Sequence, residues 1–248
     1  MTITDIELKI FARQIILKEL SEKNFEQIQS QNVILIGMGG IGCPVAKYLV
    51  SSGIKNLTLI DHDIINISNL NRQILYSFKD IGKKKVTIAK KNLRGINPKC
   101  KINIFSQKLK KSNIKNYIKK PTMIIDTTDD WKTMNEVNKY CLKNSIPLIS
   151  ASVIGFDGQV MLFKNNKKDH LCLNCVFPNS SEETLPRCET VGVTSIACGF
   201  IGLITAQMVL NFFTNIKTLE SKIITIKTKT MEINHIKIKK NNNCSNIN

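Results

Sequence analysis

Short apolar runs alternate with longer segments of helical periodicity from residue 33 to residue 151. The run 33–36 reads Val-Ile-Leu-Ile and leads into Gly37, and apolar residues at helical spacing follow over 41–52. Short apolar runs between turn residues are typical of buried strands. The same alternation predicts strands over 57–61, 102–105, 123–126 and 147–151 and helices over 83–94 and 131–143.

The two ends of the chain break this rhythm. At the start, helical spacing predicts a helix over 4–20, and Thr4 with Glu7 forms the pattern of a capping box. Because strands alternate with helices, we expect an α/β fold with a doubly wound, Rossmann-like, mostly parallel sheet, an N-terminal helical arm and a C-terminal strand extension. The elements predicted beyond Gly155 are strands over 159–163, 223–228 and 231–238 and a helix over 193–213.

The helix predicted over 193–213 is long and apolar enough to be considered as a membrane span. We interpret it instead as a buried core helix, because five polar residues interrupt it: Thr194, Ser195, Thr205, Gln207 and Asn211. Residues 1–9 are mixed in polarity, which is unlike a signal peptide. We therefore expect a cytoplasmic protein that does not bind a membrane.

A glycine-rich segment, Gly37-Met38-Gly39-Gly40-Ile41-Gly42, joins the first predicted strand to the next helix. A turn of this kind lets backbone N–H groups at a helix N-terminus approach a phosphate. Asp61 ends the second predicted strand, where a carboxylate can bind the ribose of either NAD or ATP. An NAD-dependent oxidoreductase and an ATP-binding enzyme both remain possible at this point.

Two cations and a second acid favour ATP. Arg72 and Lys85 follow Asn69, and such cations offset the charge that develops on phosphate oxygens, whereas nicotinamide chemistry does not need them. Asp129 follows the strand predicted over 123–126, at the edge where open α/β sheets bind ligands. A carboxylate at that edge can hold Mg²⁺ beside the phosphates. The pattern therefore favours phosphoryl or nucleotidyl transfer.

With these motifs the chain resembles the ThiF/MoeB family, bacterial relatives of ubiquitin-activating enzymes. The resemblance runs from Arg13-Gln14-Ile15-Ile16-Leu17 to Cys244. It implies a homodimeric adenylyltransferase that uses ATP and Mg²⁺ to adenylate the last glycine of a ubiquitin-like sulfur-carrier protein ending in Gly-Gly. A sulfur donor protein would then supply sulfur to the activated carrier.

The family's site residues map onto this sequence one by one. The resemblance implies that Asp61 binds ribose, that Asp129 binds Mg²⁺, and that Arg13 reaches the triphosphate from the neighbouring subunit. Asp130 is a departure, because the family usually has Asn after the matching acid, and this change could perturb metal affinity. The residues implied to contact the phosphates are Gly39, Gly40, Gly42, Asn69, Arg72 and Lys85.

The eight cysteines suggest a metal site. The spacing of Cys172-Leu173-Asn174-Cys175 lets both thiolates reach one tetrahedral zinc ion. The resemblance implies a second pair that begins at Cys244, but Ile247 stands where its other cysteine belongs. The fourth zinc ligand could be His235, His170 or water, or the segment could hold no metal.

Cys188 is a separate case, because it precedes the long apolar helix and follows Arg187. A helix N-terminus and a cation both favour the reactive thiolate. The resemblance links Cys188 to thioester or acyl-disulfide chemistry after adenylation, and an inert loop cysteine is the alternative. The remaining cysteines have apolar surroundings and are expected in the core: Cys43, Cys100, Cys141 and Cys198.

The formal charge of +17 comes from scattered lysines without a nucleic-acid-binding signature. We therefore expect no nucleic-acid partner, and a field that speeds encounter with ATP and an acidic protein. The length of 248 residues suits a single adenylation domain. We divide it into an N-terminal helical arm (1–30), a nucleotide-binding core (31–155) and a carrier-binding, cysteine-bearing C-terminal part (156–248).

Within the family, the segments 72–76 and 149–159 are closer to ThiF, the member in thiamine biosynthesis. MoeB-type activation of a MoaD-like carrier in molybdopterin synthesis is the near alternative. An NAD-dependent oxidoreductase and a scaffold that binds a carrier without turnover are the more distant ones.

Overall fold

A computed structural model describes residues 3–165, 171–178, 191–216, 222–241 and 244. Eight strands form one sheet: β1 (Asn32–Ile36), β2 (Asn56–Ile60), β3 (Lys101–Phe105), β4 (Met123–Asp126), β5 (Leu148–Ile154), β6 (Asp157–Phe163), β7 (Lys222–Lys227) and β8 (Glu232–Lys237). The helices are α1 (Asp5–Ile15), α2 (Glu22–Gln29), α3 (Gly42–Ser51), α4 (Lys85–Ile96), α5 (Ile114–Tyr117), α6 (Trp131–Lys143), α7 (Leu173–Val176) and α8 (Ser195–Phe213).

The sheet has the strand order β3-β2-β1-β4-β5-β6-β7-β8. Strands β1 to β5 pair in parallel, and β6, β7 and β8 add to β5 in antiparallel fashion. The connections run outward from β1 in one direction and from β4 in the other, so the switch point of the topology lies between these neighbours. The predicted doubly wound fold with a C-terminal strand extension is confirmed.

Alternate residues of each central strand enter two different apolar layers. Val33 and Leu35 of β1 pack in a cluster with residues of α3, α4 and α8. Ile34 and Ile36 pack on the other face with residues of α5, α6 and α7. All four side chains are at most 2% exposed. This burial on both faces explains why the strand sequence is apolar without alternation.

The N-terminal arm differs from the single helix predicted over 4–20. The capping box of Thr4 and Glu7 is present, but α1 ends at Ile15 and the chain turns back into α2. The turn brings the rings of Phe11 and Phe25 to 4.7 Å between centroids. The prediction of one helix over 4–20 was therefore wrong in length, because the aromatic contact between the two helices overrides local helix propensity.

Helix α8 is confirmed as a core helix. By length and composition it could cross a membrane, but 56% of its apolar window is buried inside the protein. It packs against α3, β5 and β6. The contact with α3 is close, since a Cβ added at Gly202 would lie 2.4 Å from Cγ of Pro44.

An ion pair fixes α1 on the core. Glu7 accepts from Lys55 Nζ at 2.6 Å and from Gln29 Nε2 at 3.1 Å. Burial alone would raise the pKa of Glu7, but hydrogen bonds from Lys55 and Thr4 and the Lys55 charge outweigh it and lower the pKa from 4.5 to about 2. Glu7 therefore stabilises the fold above pH 4.5, and this contribution is lost as the pH falls toward 2.

We expect Glu7→Gln to lower the free energy of unfolding at pH 7 by roughly 2 to 3 kcal/mol. The difference from the wild type should shrink as the pH falls through this window, because the wild-type carboxylate also becomes neutral. Urea unfolding at several pH values measures it, with Glu19→Gln on the exposed turn after α1 as the control. A difference that is independent of pH would contradict the ion-pair explanation.

Candidate active site

A cavity of about 970 Å³ opens at the carboxyl ends of β1, β2 and β4. Its walls come from the glycine turn after β1, the loops after β2 and β4, and the antiparallel strands β5 to β8. Arg13 and Gly42 are not part of the lining. The residues singled out from the sequence that do line it are Gly39, Gly40, Asp61, Asn69, Arg72, Lys85 and Asp129.

Close backbone approaches shape the glycine turn. Gly37 has a φ of +89°, in the region that favours glycine. A Cβ added at Gly42 would lie 2.0 Å from the carbonyl oxygen of Gly37. Thr127 Oγ1, from the loop after β4, donates to that same carbonyl at 2.9 Å. Gly42 therefore shapes the turn, and Thr127 is a contributor that the sequence did not single out.

The turn leaves space for a ligand beside Gly39. A Cβ added there would have only Gln73 Nε2 near it, at 3.9 Å. Gln73 is 3% exposed, and its Oε1 is buried without a hydrogen-bond partner among the described residues. The open space beside the Gly39 backbone, next to the unpartnered Oε1 of Gln73, fits a nucleotide that approaches the turn.

Asp61 connects the turn to the end of β2. Its carboxylate accepts from the backbone N–H of Met38 at 2.6 Å and from that of Asp63 at 2.8 Å. Each carboxylate oxygen can accept more than one hydrogen bond, so acceptor capacity remains for ribose hydroxyls. Asp61 thus shapes the site in addition to the ribose role that the resemblance implies.

The two cations are held in different ways. Arg72 Nη1 donates to the carbonyl oxygen of Ser68 at 2.9 Å and to Asn71 Oδ1 at 3.1 Å. Lys85 is 5% exposed, and its Nζ lies 2.8 Å from Asp63 Oδ2. Asn69 shapes the turn before Arg72, because its Oδ1 accepts from the backbone N–H of Asn66 at 3.2 Å. Sequence reasoning gave Asp63 no role, since its pairing with Lys85 is visible only in the fold.

The loop after β4 contains two adjacent acidic residues in different environments: one caps a helix, and the other is exposed at the cavity. Asp130 is the N-cap of α6, accepting from the backbone N–H of Lys132, and its Oδ2 lies 2.5 Å from Lys108 Nζ. Asn caps helices as well as Asp does, so the departure from the family pattern preserves the cap. Asp129 remains exposed at the cavity, where a carboxylate can hold Mg²⁺.

Asp126 shapes this loop from within the core. It is 2% exposed, and its Oδ1 accepts from the backbone N–H and the hydroxyl of Thr128 at 3.0 and 2.8 Å. Burial raises its pKa from 3.8 to about 6, the Thr128 hydrogen bonds oppose the shift, and the charges of Asp130 and Asp129 add to it. The ionised carboxylate is therefore a source of instability above pH 6.

We expect Asp126→Asn to raise the free energy of unfolding at pH 8 by roughly 1 to 3 kcal/mol, because the amide oxygen still accepts from Thr128. The raised pKa means that the wild-type penalty is absent below pH 3.8 and grows up to about pH 6. Chemical unfolding at pH 4 and pH 8 measures the gain. An equal gain at both values would show that charge is not its cause.

Three cysteines form a second cluster, away from the cavity lining. Cys172 Sγ lies 3.7 Å from Cys175 Sγ and 3.4 Å from Cys244 Sγ, too far for disulfides. All three thiols are buried and lie within 4.8 Å of one another, as ligands of one metal ion do. Burial would raise the pKa of Cys175, but hydrogen bonds from the backbone of Cys172 and of Asn241 and from the thiols of Cys244 and Cys172 lower it overall. His235 is exposed on β8 and does not belong to this cluster.

The four cysteines that were predicted to lie in the core are buried there. Cys43, Cys100, Cys141 and Cys198 are all buried. Burial raises the pKa of Cys43 and of Cys100 to about 12, which keeps both as neutral thiols. Cys198 also borders the cavity, since a Cβ added at Gly40 would lie 2.7 Å from its Sγ. Cys188, His170 and Ile247 lie outside the described residues.

The switch-point cavity and its glycine turn define a nucleotide-binding α/β protein of the Rossmann type. The chain belongs to the ThiF family, whose profile matches residues 11–246. The sulfur carrier protein ThiS adenylyltransferase of Escherichia coli is 28% identical over 240 residues, covering 97% of this chain and 95% of that protein. The molybdopterin-synthase adenylyltransferase of E. coli is 30% identical over 243 residues, with coverage of 98% and 97%.

A solved structure shows the same fold. The crystal structure of E. coli MccB with AMPCPP and MccA matches with a TM-score of 0.84 at 22% identity. The match covers 97% of this chain and 74% of the MccB chain.

Proposed function

We propose that this protein adenylates the C-terminal glycine carboxylate of a ubiquitin-like sulfur-carrier protein, using ATP and Mg²⁺. The observation that carries the proposal is the single cavity onto which Gly39, Arg72, Lys85 and Asp129 all open. Support comes from the two E. coli relatives, which are named adenylyltransferases and match this chain over nearly its whole length.

In this mechanism a carboxylate oxygen of the carrier attacks the α-phosphorus of ATP, and pyrophosphate leaves. The backbone N–H groups of the glycine turn, with Arg72 and Lys85, bind the phosphates and offset their charge. Asp129 would hold Mg²⁺, which supplies further charge neutralisation to the phosphates. No protein nucleophile is needed for this step, so positioning and charge supply most of the catalysis.

The carrier of the thiamine pathway is our first choice, and a MoaD-like carrier is the alternative. The choice rests on the segments 72–76 and 149–159, because identities of 28% and 30% to the two relatives do not separate the pathways. We also infer that the arm, the core and the C-terminal part act as one adenylation domain. The continuous eight-stranded sheet that joins the core to the C-terminal part supports this.

We infer that a second copy of the chain completes the site. Arg13 is exposed on α1 and does not line the cavity of its own chain, so its proposed contact with the triphosphate must be made to a neighbour. Ile6 and Ile10, on the same helix, are 64% and 58% exposed, which favours their burial against another subunit. The proposed homodimer and the proposed contact of Arg13 with the triphosphate therefore depend on each other.

After adenylation, we propose that Cys188 takes part in loading sulfur from a donor protein. Its neighbour in the sequence, Arg187, supports this, since a nearby cation favours a thiolate. The reactions need reduced thiols, and none of the described cysteines is in a disulfide. We accordingly place the protein in the cytoplasm.

We propose that Cys172, Cys175 and Cys244 bind zinc, with a fourth ligand outside this cluster. Purified protein is expected to contain close to one zinc ion per chain, and Cys172→Ser should lose most of it, because a thiolate supplies much of the affinity. Elemental analysis measures the stoichiometry, with Cys100→Ser as a buried-cysteine control. A wild-type content near zero would reject the zinc site.

The proposed function is tested by ATP–pyrophosphate exchange with purified protein, Mg-ATP and either a ThiS-type or a MoaD-type carrier. We expect exchange that depends on the carrier and is faster with the ThiS type. Faster exchange with the MoaD type would move the protein to the alternative pathway. No exchange with either carrier, together with thermal stabilisation by NAD rather than by Mg-ATP, would instead support the oxidoreductase.

A further inference from the structure

The loop after β2 contains a carboxylate that the proposed mechanism does not use. Asp63 Oδ2 lies 2.8 Å from Lys85 Nζ. The Lys85 side chain is 6% exposed and that of Asp63 is 48% exposed. We propose that Asp63 is a positioning residue, which keeps the Lys85 ammonium directed at the cavity for the phosphates of ATP. The inference rests on the proposed function, because it assigns a task to Lys85 in that reaction.

The backbone fixes Asp63 independently of the Lys85 side chain. Its N–H donates to Asp61 Oδ1 at 2.8 Å, and its carbonyl oxygen accepts from the backbone N–H of Lys85 at 3.1 Å. An isolated bridge between Ile64 and Lys84 adds a further connection between the two segments. The backbone of Asp63 is therefore held beside that of Lys85 by contacts that do not involve the Lys85 side chain.

Lys85 needs such a partner for two physical reasons. It is the first residue of α4, and the partial positive charge of a helix N-terminus disfavours a cation there. It is also nearly buried, and a buried ammonium without a counter-charge is costly. An ammonium has three N–H donors, so one bond to Asp63 leaves two for phosphate oxygens.

The surroundings of Asp63 predict which kinetic constant should respond. The two carboxylate oxygens of Asp63 have different partners: Oδ1 lies 3.3 Å from His62 Nε2, and Oδ2 contacts Lys85 Nζ. Removing the carboxylate misdirects Lys85 but also removes a negative charge that repels the triphosphate. These two effects oppose each other in ATP binding, whereas only the loss of Lys85 alignment acts on the chemical step. A fall in kcat with little change in KM is the expected pattern.

The test compares Asp63→Asn with the wild type in carrier-dependent pyrophosphate exchange. We expect kcat to fall roughly 10-fold to 100-fold while the KM for ATP changes by less than about threefold. In a Lys85→Met background the same Asp63 change should not lower kcat further, because Asp63 acts on the chemical step through Lys85. Glu136→Gln, which removes the carboxylate of a surface pair with Lys139, is the matched control and should leave both constants unchanged.

A second readout does not depend on turnover. Acetylation by acetic anhydride, followed residue by residue in peptide mass spectra, should be faster at Lys85 in Asp63→Asn than in the wild type. Lys83, which pairs with Asp80 instead, is the internal control and should react equally in both proteins. Equal rates at Lys85, or an unchanged kcat in an active enzyme, would overturn the positioning role. An inactive wild type with faster acetylation of Lys85 in the variant would overturn only the proposed function.

Discussion

Asp129→Asn is expected to lower carrier-dependent pyrophosphate exchange by about 100-fold or more. In the proposed mechanism, Asp129 is the carboxylate at the cavity that holds Mg²⁺ beside the phosphates, and an amide is a much weaker ligand for this hard cation. The side chain is exposed and lies in a loop, so the free energy of unfolding should hardly change. Exchange rates at increasing Mg²⁺ concentration, with unfolding curves alongside, measure both effects.

The matched control is Asp130→Asn, the neighbouring position. This substitution removes the same charge, but it keeps a residue that can cap α6 and that the family usually has. Its exchange rate should stay within about threefold of the wild type, since the substitution removes only a charge near the site and its pairing with Lys108. Similar losses in both variants would mean that the local field, rather than a metal ligand at Asp129, matters.

Gly42→Ala is expected to lower both stability and nucleotide binding strongly. The new Cβ would lie 2.0 Å from the carbonyl oxygen of Gly37, a backbone atom that Thr127 also holds. The turn must open to relieve this overlap, at a cost of about 1 to 3 kcal/mol or more in the free energy of unfolding. Thermal unfolding with and without Mg-ATP measures the stability and the stabilisation by the ligand.

Two further glycine-to-alanine substitutions distinguish an effect on stability from an effect on ligand binding. Gly95→Ala, on the exposed face of α4 with no atom near the new Cβ, should stabilise the protein by about 0.5 to 1 kcal/mol. Gly39→Ala should leave stability nearly unchanged but weaken the protection by Mg-ATP, because its Cβ would occupy the open space beside the backbone. Full ligand protection in Gly39→Ala would contradict the placement of the phosphates at this turn.

Local sequence patterns predicted the strands and most of the longer helices. Helix α6 spans Trp131–Lys143, as the periodicity predicted, and Asp130 caps its start. The short helices α5 and α7 were not anticipated, since four residues carry too little periodicity. The turn between α1 and α2 was also missed, because it depends on the contact between Phe11 and Phe25.

Much of the candidate site could be read from the sequence because its residues follow β1, β2 and β4 directly. Parallel strands bring their carboxyl ends to one edge, so Gly39, Asp61 and Asp129 meet without long-range information. The partners that hold them could not be read in this way. Thr127 reaches Gly37 across 90 residues of sequence, and Asp63 reaches Lys85 across 22.

The central claim is that this cavity exposes the α-phosphorus of ATP to a carrier carboxylate, and an isotope experiment tests it most directly. A carrier labelled with ¹⁸O in its C-terminal carboxylate is incubated with the protein and Mg-ATP, and hydroxylamine then cleaves the product at its carbonyl carbon. We predict that one labelled oxygen appears in AMP, since attack at the α-phosphorus leaves the carboxylate oxygen on it. Label in inorganic phosphate with formation of ADP, or no transfer of label, would contradict the claim.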